Sequence, residues 1–380
     1  MKKLFYFMMM AMAAVSCVYP FQPEVEGESH DLVVEGDIVP GDLTRIYLRY
    51  SVPVNAASGM TGGVNATVSV EDEKGKVYKA RKVGSELYEI DTEYASADLR
   101  YRLKIQADGL YYETDFMSVT AAPKLDEVTY QLSEENAEIV LSLQGKDENR
   151  HYKVSYLETW EYHSDYRAKV TYDPISETFQ KIPDTEIFEF YYCWRTARPS
   201  ESVLMNASGN VTNSIKRQAI KRASRRDKRF SMVYRMDIEV SAISDGAYDY
   251  LKNLQQSSNG SGDLFTPTPS RMESNVRCVS DPTRLVVGYV DAVRKSTTRY
   301  QLDCRSRNIY KVPILSDEQN LFIPDTEELT LNDYYTMGFR PVDDRDVEGG
   351  PYYWANAICT DCRKEGGNKN KPEDWPTFDE

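Results

Sequence analysis

The feature that most constrains this fold is a period-two alternation of apolar and polar residues, which recurs along much of the chain. Val64, Ala66, Val68 and Val70 alternate with polar residues, and residues 232–240 repeat the pattern over a longer run. Such alternation places apolar side chains on one face of a strand and polar side chains on the other. The 28 tyrosines add to this tendency, because aromatic residues favour strands. The sequence therefore predicts a mainly β protein.

Residues 30–122 contain about seven short alternating segments, separated by regular turns. Asp108-Gly109 stands between two of these segments, and an Asp-Gly pair in that position is a strong hairpin signal. The spacing of strands and turns predicts an N-terminal immunoglobulin-like β-sandwich over this range.

Residues 123–342 predict a larger β-rich second domain with one inserted helix. The aromatic run Phe188–Trp194 predicts a strand. The helix is expected to follow Ser244, whose hydroxyl can cap it, and to end in the Ser- and Gly-rich loop at 257–262. Residues 343–380 show no periodicity and predict an irregular segment rich in Cys, Gly and Pro.

The first 17 residues predict an exported, lipid-anchored protein. Two lysines precede an apolar run of 12 residues, shorter than the roughly 20 needed to cross a bilayer. Residues 14–17, Ala-Val-Ser-Cys, resemble a bacterial lipobox. We expect residues 1–16 to be a lipoprotein signal peptide, Cys17 to carry palmitate and other acyl chains, and residues 17–29 to form a tether. The alternative is an ordinary secretory signal with an incidental cysteine.

Charge and composition limit the classes of partner. The chain has 46 Lys and Arg residues against 60 Asp and Glu residues, a formal net charge of −14. A nucleic-acid partner is not expected, because phosphate binding requires a basic surface. The membrane is expected to be contacted through the N-terminal lipid.

Five cysteines besides Cys17 are candidates for structural disulfides, since an exported protein occupies an oxidising compartment. They are Cys193, Cys278, Cys304, Cys359 and Cys362. The last two form a C-x-x-C motif, for which zinc binding and redox chemistry are the alternatives. No second ligand pair has usable spacing and no βαβ context surrounds the motif, so we expect disulfides and no metal. The pairing is left open by the sequence.

A basic cluster between residues 216 and 229 stands out in this acidic chain. One interpretation is a docking patch for anionic lipid head groups or for an acidic partner. The other is a solvated strand face and turn, and the sequence favours this interpretation. Its eight basic residues are Lys216, Arg217, Lys221, Arg222, Arg225, Arg226, Lys228 and Arg229.

No enzyme signature is present: the sequence lacks G-x-S-x-G, H-E-x-x-H, a P-loop and the kinase motifs. With only three histidines, we predict a non-catalytic protein without a cofactor. Tyr156, Trp160, Tyr162 and Tyr166 are candidates for a surface that stacks on a sugar or siderophore. The alternative is that they fill the core of a sandwich or its rim.

Several short segments, in order, resemble a Bacteroidota lipoprotein family known as domain of unknown function 4249. They are Leu32-Val33-Val34-Glu35-Gly36, Asp108-Gly109-Leu110-Tyr111-Tyr112, Ser274-Asn275-Val276-Arg277-Cys278, Cys359-Thr360-Asp361-Cys362-Arg363, Gly366-Gly367 and Trp375. The resemblance implies an outer-membrane lipoprotein that assists a TonB-dependent β-barrel transporter or captures its ligand. It identifies neither the ligand nor the membrane leaflet that the protein faces. The alternatives are a structural or adhesion module of the envelope that binds protein or polysaccharide and, less favoured, a glycan or peptide hydrolase.

Overall fold

A computed structural model of the chain describes residues 31–51, 63–146, 149–210, 212–259, 273–312, 321–344 and 351–376. The predicted signal peptide, Cys17 and the tether lie outside these residues. Within them the prediction of a mainly β protein is confirmed, and the sheets are arranged as a sandwich or near-barrel. No helix among the described residues is long and apolar enough to cross a membrane.

Twenty-two strands account for most of the regular structure in the described residues. They are β1 (Leu32–Asp37), β2 (Leu43–Tyr50), β3 (Ala66–Asp72), β4 (Val77–Lys82), β5 (Leu87–Asp91), β6 (Arg100–Ala107), β7 (Leu110–Thr114), β8 (Met117–Ser118), β9 (Lys124–Leu132), β10 (Asn136–Gln144), β11 (His151–His163), β12 (Val170–Asp173), β13 (Thr178–Lys181), β14 (Tyr192–Ala197), β15 (Val203–Asn206), β16 (Ile215–Ser224), β17 (Val233–Ile243), β18 (Val276–Cys278), β19 (Val286–Val287), β20 (Lys295–Asp303), β21 (Phe339–Asp344) and β22 (Tyr352–Asn356). The α-helices in the same residues are α1 (Asp184–Tyr191), α2 (Asp245–Asn259), α3 (Leu331–Thr336) and α4 (Ala357–Thr360). Two 3-10 helices in the described part of the chain span Lys228–Phe230 and Cys362–Glu365.

A ten-stranded sheet contains the whole N-terminal region and two strands from much later in the chain. Its order is β18-β7-β6-β3-β4-β5-β2-β1-β19, with β8 beside β6. β18 pairs antiparallel with β7, and β19 pairs parallel with β1. The sheet encloses a core of aliphatic and tyrosine side chains, including Ile46, Leu48, Tyr88 and Leu103. The first sandwich is therefore completed by residues distant in sequence from residues 30–122.

Close packing of this sheet requires glycine at one position of β1. Gly36 has a φ of +130°, and a Cβ at that position would overlap the carbonyl oxygen of Arg45 on β2. L-residues rarely adopt such a φ. Gly36 therefore allows β1 and β2 to pair without a break.

A second sandwich is formed by a five-stranded and a three-stranded sheet. β14, β11, β17 and β20 lie side by side, with β15 also paired to β11, and β16-β10-β9 form the facing sheet. The large core between them includes Leu141, Tyr152, Tyr234, Met236 and Ile238. The even-numbered residues of β11 and β17 fill this core, so their odd-numbered residues face away from it.

The two sandwiches are joined by a small apolar cluster and a buried polar cluster. Val39 from the first sandwich packs with Ile243, Ala247 and Val293. Asp291 accepts hydrogen bonds from the amide and hydroxyl of Ser244 at 2.8 and 2.9 Å, just before α2. Lys153 of β11 forms an ion pair with Asp37 of β1, and both side chains are largely buried.

The aromatic segment Phe188–Trp194 differs from its prediction. Its first part belongs to α1, which starts after Pro183, and the strand begins only at Tyr192. Asp184 and Glu186 lie in the first turn of α1, where their negative charges stabilise the helix by interacting with the positive end of its dipole. The prediction of one helix in residues 123–342 is wrong as well, because α1, α2 and α3 all lie there.

The predicted helix after Ser244 is confirmed as α2, and the Ser244 hydroxyl accepts a hydrogen bond from the amide of Ala247 at 3.2 Å. The loop predicted to follow lies outside the described residues from 260 onwards. The prediction that residues 343–380 are irregular is wrong in part, because β22 pairs with β21 and leads directly into α4. Aromatic residues of this C-terminal segment pack on earlier strands although no period-two pattern predicts a strand there. The ring of Tyr352 stacks on that of Phe179, with 3.9 Å between the ring centroids.

Candidate binding groove

A polar groove crosses the outer face of the five-stranded sheet and reaches the first sandwich. One part, of about 550 Å³, lies over β11, β17 and β20. The adjoining part, of about 470 Å³, extends to β1 and β2. Both parts are lined by Ser155, Arg198 and Glu239, so they form one depression. Pockets of about 300–1,000 Å³ are typical of small-molecule sites, which often lie between domains.

Strand register explains why the floor of the groove is polar. Three rungs of residues cross from β11 to β17 to β20, and all of them point away from the core. The rungs are Lys153–Ser241–Lys295, Ser155–Glu239–Thr297 and Leu157–Asp237–Arg299. The same alternation that fills the core with apolar residues thus assembles charged and hydroxyl side chains on the opposite face.

Each carboxylate of the groove is neutralised by a neighbouring cation. Arg299 donates to Asp237 at 2.6 Å, and this hydrogen bond raises the pKa of the arginine. Lys295 donates to Glu239 at 2.9 Å. Asp37, from the first sandwich, forms the ion pair with Lys153.

The C-terminal segment covers the outer sheet face beyond one end of the groove. The indole nitrogen of Trp375 donates to Glu161 at 2.9 Å, and its ring lies 5.1 Å from the guanidinium carbon of Arg235. Arg235 is buried, and two of its guanidinium nitrogens have no hydrogen-bond acceptor among the described residues, although its Nε lies 3.7 Å from a carboxylate oxygen of Asp237. Burial lowers the pKa of this arginine.

The basic cluster is used mainly within the molecule. Five of its members pair with carboxylates: Lys221 and Arg229 with Glu158, Arg222 with Glu138, Arg226 with Glu135, and Lys228 with Asp165 and Glu365. Arg225 donates to the carbonyls of Ile309 and Asn308, both at 2.8 Å. Lys216 and Arg217 are exposed on β16. Much of the cluster therefore holds β16 and the turn after it in place, a role that neither sequence interpretation included.

Glu158 is the centre of this network. Its carboxylate is almost completely buried and accepts hydrogen bonds from Arg229 at 2.9 Å, Lys221 at 3.1 Å and the hydroxyl of Tyr234 at 2.8 Å. Burial, reinforced by the Glu158 charge, raises the pKa of Tyr234 well above its ordinary value, so the phenol stays a donor. A buried carboxylate is tolerated here because three donors surround it.

Two of the five candidate cysteines form a disulfide, Cys193–Cys362. It ties β14 to the 3-10 helix at Cys362–Glu365. Cys278, Cys304 and Cys359 are buried free thiols, so the expectation of a structural disulfide is wrong for all three. Cys359 faces a separate small core with Val342 and Ala355, away from its C-x-x-C partner.

Burial and the neighbouring Asp165 raise the pKa of the Cys359 thiol to about 11. Reactive C-x-x-C cysteines have lowered pKa values, so this environment is that of an unreactive thiol. Among the described residues, no group of three or more His, Cys, Asp or Glu is placed to hold a metal ion.

The four candidate stacking aromatics do not form a surface. Tyr156, Trp160 and Tyr162 are even-numbered residues of β11 and belong to the core of the second sandwich. Tyr166 packs on the small core around Cys359. The alternative interpretation, that they are core residues, is the correct one.

The two described histidines are engaged separately. His151 is buried, stacks on Tyr248 and lies 3.2 Å from Asp245. His163 stacks on the ring of Tyr191, at a centroid distance of 5.0 Å. His30 lies outside the described residues.

Apart from Tyr156, which was a candidate stacking residue, none of the groove residues was predicted from the sequence to contact a ligand. A usable signal was present, because most of the polar positions in residues 235–241 and 295–299 carry charges: Arg235, Asp237, Glu239, Lys295 and Arg299. The alternation, however, shows only which face is polar. It does not show that Asp37 and Arg45, more than 100 residues earlier in the chain, border the same face.

A comparison with known families gives a match that covers most of the chain. The family model described as "Domain of unknown function (DUF4249)" matches residues 18–299. This range contains β1 to β19, the first five residues of β20 and every residue that lines the groove. A comparison with curated proteins gives no match.

Proposed function

Because the chain belongs to the family called domain of unknown function 4249, we propose that it is a non-catalytic, lipid-anchored binding protein of the bacterial outer membrane. In this proposal the protein captures a ligand for a TonB-dependent transporter or assists that transporter. The transporter partnership rests on the family resemblance described above.

The groove is the observation that carries the binding role. It is open, polar and bordered by both sandwiches, a position in which a ligand contacts side chains from two rigid sheets. Its donors and acceptors come mainly from strands, which hold them in a fixed arrangement. Such an arrangement binds a ligand without a conformational rearrangement of loops.

The lipobox-like segment supports the location. Acylation of Cys17 with several chains gives stable membrane attachment, whereas a single chain binds only marginally. The Pro- and Glu-containing residues 18–29 would separate the first sandwich from the lipid surface.

Cys17→Ala tests the anchor. We expect the variant to move from the membrane fraction to the soluble periplasmic fraction, while the wild type remains attached after a carbonate wash. A variant that stays membrane-bound would refute acylation at Cys17.

Affinity purification from outer membranes, with the anchor intact, tests the partnership. We expect a TonB-dependent β-barrel to co-purify in near-equal amount. If no transporter is recovered and deletion of the gene leaves growth on all tested nutrients unchanged, the transporter proposal is wrong. A structural or adhesive role in the envelope would then replace it.

A further inference from the structure

The charge of the groove is opposite in sign to that of the protein. Five cationic side chains line it: Arg45, Lys153, Arg198, Lys295 and Arg299. Only three carboxylates do so, in a chain whose formal net charge is −14. A local excess of cations in an acidic protein attracts anions to this one region.

The excess is concentrated on two arginines. The three carboxylates are already paired with Lys153, Lys295 and Arg299, as described above. Arg198 is exposed at the point where the two parts of the groove meet, and none of the described residues forms an ion pair with it. The guanidinium of Arg45 has one ion-pair partner in the described part of the chain, Glu89 at 3.3 Å, and Glu89 also pairs with Arg81.

Guanidinium groups suit oxyanions in particular. A planar guanidinium donates two parallel hydrogen bonds to a carboxylate or a phosphate and is less strongly hydrated than an ammonium group. Two hydroxyl groups line the same part of the groove as Arg198. Ser155 is hydrogen-bonded to Ser202 at 2.9 Å, and Thr297 occupies the same rung as Ser155. A hydroxyl can add a further donor to a bound oxyanion.

We infer that this groove binds a small anionic molecule through its carboxylate or phosphate groups, with Arg198 as the principal recognition residue and Arg45 as a second contact from the first sandwich. The inference deepens the binding role proposed above and rests on it. A long polyanion such as nucleic acid is disfavoured, because the rest of the protein carries an opposing net charge.

Isothermal titration calorimetry of the full chain in detergent tests the inference with three probes: citrate, inorganic phosphate and maltose. We expect citrate or phosphate to bind, and maltose, which is neutral, to bind more weakly or not at all. The comparison of citrate with phosphate identifies which oxyanion is preferred. Binding should weaken as the salt concentration rises, because the contact is ionic and partly exposed.

Arg198→Gln should raise the dissociation constant for the preferred anion at least ten-fold. Arg222→Gln is the matched control, because Arg222 is an exposed arginine on β16, in the sheet opposite the groove. It should change the dissociation constant less than two-fold. Equal effects of the two variants, equal binding of maltose, or no binding of either anion would overturn the inference.

Failure here is distinguishable from failure of the proposed function. Recovery of a transporter from outer membranes does not depend on the ligand class, so it can succeed while anion binding fails. Conversely, anion binding that requires Arg198 would stand even if no transporter co-purified.

Discussion

Replacement of Glu158 by glutamine should destabilise the second sandwich far more than a surface substitution of the same type. The variant keeps the shape of the side chain and removes its charge. Lys221 then has no carboxylate partner among the described residues, whereas Arg229 keeps Asp227 at 3.0 Å. Both cationic side chains are more than four-fifths buried, at 19% and 18% exposure, so water compensates poorly for the lost charge.

The expected loss follows from these contacts. Removal of one partner from a buried ion pair typically costs about 3–5 kcal/mol. We expect the lower end, about 3 kcal/mol, because Asp227 still pairs with Arg229 and the glutamine oxygen can still accept from Tyr234. Combining Glu158→Gln with Lys221→Met should recover at least about 1 kcal/mol, since it removes the cation left without a partner.

Urea unfolding followed by tryptophan fluorescence measures this loss in the appropriate part of the molecule. All four tryptophans lie outside the ten-stranded sheet, and the Trp160 ring is 5.2 Å from the guanidinium carbon of Arg229. Glu138→Gln is the control: its partner Arg222 is 64% exposed, and such a pair contributes at most about 1 kcal/mol. If the two variants lose the same stability, the assignment of the basic cluster to internal support is refuted.

Three further predictions concern the rest of the molecule. Cys193→Ala should lower the free energy of unfolding by about 2–5 kcal/mol, because its disulfide links residues 169 positions apart. In the same urea assay, a reductant should lower the unfolding midpoint of the wild type but not that of the variant. Burial raises the pKa of Asp291 in the folded state, so folding favours its protonated form. The stability of the wild type relative to Asp291→Asn should therefore increase as pH falls from 7 towards the unfolded pKa of about 4. An opposite or absent trend in pH-dependent unfolding would contradict this. Gly36→Ala should cost about 2–3 kcal/mol through backbone strain and overlap with β2, whereas Gly84→Ala, with open space around its Cβ, should be nearly neutral in thermal unfolding.

The sequence by itself determined the strands that show period-two alternation and which face of each is buried. The alternation in β11 and β17 identifies their inward residues, because side chains on a strand point to opposite faces at every step. It also predicted α2, whose cap and apolar face are local features. Local patterns failed at α1, where a dense aromatic run concealed a helix that starts after Pro183.

Tertiary structure alone decided how distant segments meet. The pairing of Cys193 with Cys362, the contacts of the basic cluster with Glu158, and the return of β18 and β19 to the first sheet all join residues far apart in sequence. The groove is likewise formed by segments far apart in sequence, because β1, β2, β11, β17 and β20 each contribute one part of it. Periodicity describes a single strand and its two faces. Which strands become neighbours depends on how the sheets bury their apolar faces together, and that choice is made only when the whole chain packs.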